Sequence, residues 1–131
     1  MIHLNKILFP AAIVCALTSG IHIFMGGAEI IPPFLDLNFD IALKLTLLAV
    51  WHMASAVLVL STVTLFVLAF RKGLREKGLL LFIGISYLVF GAVFLIICFV
   101  YFNESLFLQL PQWILLLPIG VLTLWGGLRK A

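Results

Sequence analysis

Four long apolar stretches that carry almost no charge dominate this sequence. They cover residues 7–26, 41–70, 78–102 and 111–128, and short segments with charges and prolines separate them. A helix that crosses the hydrocarbon core of a membrane needs about 20 apolar residues, with a range of roughly 17–25. Only 10% of the residues are charged, against about 25% in soluble domains. The stretches therefore predict an all-α integral membrane protein, and they exclude soluble, disordered and disulfide-rich folds.

The connecting segments predict how the helices are arranged. Backbone groups in hydrocarbon must pair within the chain, and these runs lack the alternation of barrel strands, so the stretches should be helices. The pair Gly26-Gly27 favours an end of the first helix, Pro32-Pro33 should not continue it, and Asp40 is expected to cap the second. We expect one domain, residues 1–131, with four transmembrane helices in an antiparallel bundle.

The basic residues predict the orientation of this bundle. Seven of the eight lie on one side of the membrane if both termini are cytoplasmic, and four of the five acidic residues lie on the other. Cytoplasmic loops carry the excess of Lys and Arg. We expect an N-in, C-in protein of the bacterial inner membrane, with Trp51 and Trp113 at the outer interface and Trp125 at the inner one. The residues that set this topology are Arg71, Lys72, Arg75, Lys77, Arg129 and Lys130, with Lys6.

One polar constellation indicates a function. His22 follows Lys6 by 16 residues and His52 precedes Phe70 by 18 residues, which puts both imidazoles about 24–27 Å above the cytoplasmic ends. Glu29 lies just beyond them. Ionisable groups inside a membrane are costly and mark functional sites. Two histidines and a carboxylate suit a divalent metal, a proton relay or the polar headgroup of a ligand, and we expect all three at an outward-facing pocket.

Small and polar residues at helical spacing should face the inside of the bundle. Cys15 and Cys98 are expected to be reduced and buried, and Gly84 and Gly91, seven residues apart, predict close helix packing. The predicted lining of the pocket consists of Ser19, Met25, Gly26, Ser55 and Tyr87.

Three functions stay open at this point. The first is a bundle that binds or passes a small ligand, either a metal ion, a proton or a lipophile, at His22, Glu29 and His52. The second is an accessory subunit, with no site of its own, in a homo-oligomer or larger membrane complex. The third is a redox protein that holds haem or quinone, for which histidines on facing helices would be ligands or hydrogen-bond partners.

The sequence does not indicate an enzyme or a nucleic-acid-binding protein. It has no nucleophile with a base and an orienting group, no phosphate-binding loop and no CxxC pair, so no catalytic residue is predicted. Ser55, three residues after His52, is more typical of a backbone hydrogen bond than of a nucleophile. The basic residues are not interleaved with aromatic residues in a soluble region, so nucleic acid is not an expected partner.

The stretch Gly26-Gly27-Ala28-Glu29-Ile30 with Pro32-Pro33, followed by Trp51-His52, resembles small uncharacterised bacterial inner-membrane proteins with four predicted helices. The resemblance covers about the first half of the chain and implies the fold without implying an activity. In size and topology the chain is also similar to DoxX-like four-helix proteins.

Overall fold

The computed structural model describes residues 4–71, 76–101 and 106–128, and within these ranges the protein is all-α, with no β-strand. Three rods in this part, Leu8–Asp36, Ile41–Phe70 and Lys77–Val100, are long and apolar enough to cross a membrane. The expected all-α fold, with apolar helices long enough to cross a membrane, is thereby confirmed. The elements are α1 (Leu8–Gly20), a π-helical segment (Ile21–Gly26), α2 (Gly27–Asp36), α3 (Ile41–Phe70), α4 (Lys77–Val100), the single turn α5 (Leu106–Gln109) and α6 (Gln112–Leu128).

The first rod is longer than expected. It continues through Gly26-Gly27, where the amide of Gly27 donates to the carbonyl of His22, five residues back, as in a π-helix. It also contains Pro32 and Pro33, so the expected end of the helix before these prolines is wrong. Each proline removes one backbone hydrogen bond. The carbonyls released by Pro32 and Pro33 are those of Ala28 and Glu29, four residues earlier, and both residues are exposed.

Side chains cap the starts of α1 and α3. The carboxylate of Asp40 accepts from the amides of Ala42 (2.9 Å) and Leu43 (3.4 Å), as predicted. The side-chain oxygen of Asn5 accepts from the amide of Leu8 at 3.1 Å in the same way. The amide of Asn5 donates to the carbonyl of Ala69 (2.8 Å), which joins the start of α1 to the end of α3.

The helices of the described residues pack against one another in pairs. Helix α1 packs against α3 and α6, and α6 packs against α4. Glycines allow the last pair to approach closely: a methyl group on Gly84 would lie 2.6 Å from Cγ of Leu124, and one on Gly91 would lie 2.6 Å from Cδ2 of Leu117. The close packing expected at Gly84 and Gly91 is therefore found within the bundle.

The buried core lies toward one end of α1 and α3. None of the residues 20–57, all of which the structure describes, is buried. Cys15 and Cys98 are free and buried, as expected. The core residues are Leu8, Ala11, Ala12 and Cys15 from α1, Leu58, Leu65, Leu68 and Ala69 from α3, Leu80, Ile83 and Tyr87 from α4, and Leu116 and Ile119 from α6.

Basic residues mark the core end of the bundle. Arg71, after α3, and Lys77, at the start of α4, are exposed there, and we call the opposite end the distal end. Lys6, just before α1, is exposed at the same end. The remaining residues predicted to set the topology, namely Lys72, Arg75, Arg129 and Lys130, lie outside the described residues. Lys44 is at the distal end, and its ammonium group donates to the carbonyl of Leu35 (2.5 Å).

Candidate functional site

Two stacked rings connect the π-helical segment to α3 near the distal end. The imidazole of His22 lies on the indole of Trp51, with the ring centroids 4.1 Å apart and the planes 18° from parallel. Nε2 of His22 is 3.4 Å from the carbonyl oxygen of Trp51, which is long for a hydrogen bond. His22 is half-buried in this position. The geometry therefore holds the imidazole by stacking and one weak polar contact, with part of its rim exposed.

The surroundings of Trp51 fix where its ring lies. The hydroxyl of Ser55 donates to the same carbonyl of Trp51 at 3.1 Å. On the other helix, a methyl group on Gly26 would lie 2.9 Å from Cη2 of Trp51. Any larger residue at Gly26 would thus displace the indole. Of the expected lining residues, Gly26 lies against the indole ring, whereas Ser55 bonds only to the backbone of Trp51 in its own helix.

Below the ring stack, toward the core, two hydroxyls meet between α1 and α3. Ser19 Oγ and Thr62 Oγ1 are 3.1 Å apart. Ser19 also lies 2.8 Å from the carbonyl of Cys15, and Thr62 lies 2.8 Å from that of Leu58. Each hydroxyl has a single hydrogen to donate. When one hydroxyl donates across the interface, it therefore loses its hydrogen bond to the backbone carbonyl of its own helix. Such contacts join helices in lipid.

The deepest polar contact links α1 to α4. Cys15 Sγ lies 3.3 Å from the hydroxyl of Tyr87, whose side chain is 1% exposed. The thiol is also 3.7 Å from the carbonyl of Leu58. The hydroxyl of Ser61 is a further hydrogen-bonding neighbour of Tyr87. Tyr87 is therefore inside the bundle, as expected, but it belongs to this central contact, which the structure does not join to His22.

Three predicted site residues lie on the outside. His52, Met25 and Glu29 are exposed, so the expectation that His52 faces the bundle and that Met25 lines a pocket is wrong. Consecutive residues of a helix point about 100° apart. Because Trp51 takes the position that faces α1, its neighbour His52 must point elsewhere.

The structure does not assemble the expected trio. In the part of the chain that it describes, no three His, Cys, Asp or Glu side chains lie close enough together to hold one metal ion. His22, Glu29 and His52 all belong to that part. Glu29 is seven residues after His22, which is about 10 Å along a helix, and His52 is turned outward.

Sequence reasoning missed Trp51 as a member of the site. It treats Trp51 as a marker of the membrane interface, where tryptophan is common. Gly26 could have indicated this role of Trp51, because a glycine in an apolar helix leaves room for a large side chain from a neighbouring helix. Cys15 was likewise expected to be only a small apolar residue, whereas its thiol contacts Tyr87.

No protein-family model matches the sequence, and no curated protein or solved structure matches it.

Proposed function

We propose that this protein binds a small lipophilic ligand at the distal end of the α1–α3 interface, and that His22 recognises the polar part of that ligand. The observation that carries the proposal is the half-buried imidazole stacked on Trp51. An ionisable side chain on a helix that spans a membrane is costly, and by default it indicates a functional site. The site lies on a π-helical segment, a feature that is frequent at functional sites.

The contacts of His22 support a role beyond helix packing. The hydroxyls of Ser19 and Thr62 are held at 2.8 Å from backbone carbonyls of their own helices. His22 instead makes one contact of 3.4 Å, and nothing in the described residues bonds its second nitrogen. A side chain that only joined two helices would use its hydrogen-bonding groups more completely.

The proposal includes a membrane topology. We propose that α6 is the fourth span, that both termini are cytoplasmic, and that the membrane is the bacterial inner membrane. Arg71 and Lys77 at the core end support this orientation. It is tested by cysteine labelling in a variant without Cys15 and Cys98: Leu37→Cys should react only from outside. Reaction only from the cytoplasmic side would refute it.

The function is tested by what co-purifies with the protein. Wild type, His22→Phe and the matched control His52→Phe are purified in mild detergent, and bound small molecules are identified by mass spectrometry. We expect a lipophile that wild type and His52→Phe retain and that His22→Phe loses. Phenylalanine keeps the stacking on Trp51, so the fold should persist, which helicity and elution volume check. Equal retention by all three proteins, or by none, would contradict the proposal.

The same preparations test the other ligand classes. Elemental analysis measures a bound metal, and the absorbance spectrum measures haem or quinone. A metal or haem that depends on His22 would replace the lipophile as the ligand of this site.

The accessory-subunit function has its own support, because none of the residues 20–57 is buried. The test compares photo-crosslinking residues at two exposed positions. Met53, which is 66% exposed, lies within residues 20–57, and Ile85, which is 52% exposed, lies on α4. An accessory subunit should give one discrete protein product from Met53 in intact membranes and none from Ile85. Lipid adducts alone from both positions would contradict this function.

A further inference from the structure

We infer that α2 is a hinged arm, which swings away from α3 about the π-helical segment and widens the space beside the ring stack. Lys44 is the latch that holds this arm closed. The swing is a property of the fold, so it does not depend on which ligand the protein binds.

Little buried surface holds α2 in place. Neither the π-helical segment nor α2 has a buried residue, whereas α1, in the same rod, has six. Apart from Gly27, only Ile31 and Phe34 of α2 are half-buried, and the rest of the helix is exposed. Segments with few buried apolar contacts open most readily. The first rod thus has a firmly packed half, α1, and a weakly held half, α2.

The π-helical segment has the properties of a hinge. The amide of Gly27 donates to the carbonyls of His22 and Phe24, so the regular α-helical ladder is interrupted here, and helices bend at such interruptions. Gly20 precedes the segment and Gly27 follows it, and a methyl group on either would meet nothing within 4 Å. Packing does not require these two glycines, in contrast to Gly84, so what they supply is backbone freedom.

One polar contact ties the far end of the arm to α3. The ammonium group of Lys44 donates to the carbonyl of Leu35 at 2.5 Å. This carbonyl is one of the last four of α2, which have no partner within the helix, and a cation is favourable at this end of a helix dipole. Lys44 is also the basic residue that departs from the charge pattern of the chain, and the contact gives it a role.

The short connection between α2 and α3 limits the swing. Asp36 ends α2 and Ile41 begins α3, and an extended chain of this length covers at most about 17 Å. Helices in contact lie about 8–10 Å apart, so the tip of α2 can move by about 7–9 Å. Since α2 is about 15 Å long, the movement is a rotation of about 30°.

The swing acts on the candidate site through Gly26. This residue is the last of the π-helical segment, and a methyl group on it would lie 2.9 Å from Cη2 of Trp51. When α2 moves away from α3, the backbone at Gly26 withdraws from the indole. The space beside the ring stack then widens on its distal side.

The test measures distances between pairs of spin labels in a protein whose own cysteines are replaced, reconstituted in phosphatidylcholine bilayers. The distal pair joins the tips of α2 and α3, at Asp36 and at Leu43, which are both exposed. The control pair joins α1 to α3 on the core side of the hinge, at Leu17 and Leu60, which are 59% and 67% exposed. Only the distal pair spans the hinge.

We expect one narrow distance distribution for the control pair and two populations for the distal pair, the second about 7–9 Å longer. Lys44→Met should raise the ratio of the longer to the shorter population about three- to tenfold, the range of one net hydrogen bond. Lys77→Met, at the core end, is the matched control and should not change it. Gly20→Ala combined with Gly27→Ala should lower the ratio about fivefold, because alanine restricts the backbone more than glycine does.

Three results would overturn parts of this inference. A single distance for the distal pair, as narrow as that of the control pair, would show that the arm is fixed. No response to Lys44→Met, or an equal response to Lys77→Met, would remove Lys44 as the latch. A fixed arm together with lipophile retention that depends on His22 would leave the proposed function standing, and a swinging arm in a protein that retains no lipophile would be the reverse case.

Discussion

Gly120, in the middle of α6, is the position where the smallest change should do the most damage. A methyl group there would lie 2.8 Å from Cδ2 of Leu88 and 2.9 Å from the carbonyl oxygen of Gly84, both on α4. Ordinary contacts between a carbon atom and a carbonyl oxygen are about 3.3–3.6 Å. Leu88 can turn away, but the oxygen of Gly84 belongs to the backbone. Gly120→Ala must therefore push α4 and α6 apart.

The size of the effect follows from two opposing terms. Overpacking in a well-packed interior costs about 1–3 kcal/mol, while exchange of glycine for alanine in a helix gains about 1 kcal/mol. Gly20→Ala is the matched control, because a methyl group there meets nothing within 4 Å. The helix term is common to both variants, so the difference in their free energies of unfolding should be about 1–3 kcal/mol, with Gly120→Ala the less stable.

The assay is equilibrium unfolding in mixed micelles with a rising fraction of SDS, followed by helicity or by the accessibility of a buried cysteine. Cys98 is buried and free, so its reaction rate reports the separation of α4 from its neighbours. If Gly120→Ala unfolds at the same SDS fraction as Gly20→Ala, or at a higher one, the helices are not as close as the contacts of Gly84 and Gly120 indicate.

Two further predictions follow from the polar and aromatic contacts. Tyr87→Phe removes the hydroxyl that contacts the α1 thiol at 3.3 Å, so it should lower the free energy of unfolding by about 0.5–1.5 kcal/mol; Tyr101→Phe, at a residue 73% exposed, should not, and equal effects would refute the assignment. Gly26→Ala should shift the fluorescence of Trp51, because a methyl group there lies 2.9 Å from the indole. Gly27→Ala, which faces open space, should leave the spectrum unchanged, and a shift in both variants would refute the close approach.

Hydropathy predicts the helices of this protein well because lipid permits few alternatives. The predicted stretch 41–70 and helix α3 (Ile41–Phe70) coincide, and the cap at Asp40 follows from a short acceptor side chain before an apolar run. The seam at Gly84 and Gly91 is also visible in the sequence, since spacing of seven keeps two residues on one face of a helix.

The candidate site could be predicted less well from the sequence. Counting residues predicts the depth of His22 and His52, but it does not predict which side each faces. Trp51 and His52 are adjacent, so only one of them can face α1. Trp51 takes this position because its indole buries the larger apolar surface. The continuation of the first rod past Pro32 was missed because the rule that proline ends a helix counts the lost hydrogen bonds, and here α2 contains both prolines in spite of that loss.

The π-helical segment Ile21–Gly26 has a consequence for how the first rod responds to insertions and deletions. Bonding to the fifth residue back accommodates one residue more than an α-helical turn would. Deleting one residue from this segment would restore the α-helical ladder and leave α2 in nearly its present phase, because the π-helical turn holds the extra residue. Deleting one residue within α1 would instead turn everything beyond the deletion by about 100°. The six residues of the π-helical segment are thus the place where the first rod can lose one residue without changing which side of α2 faces outward.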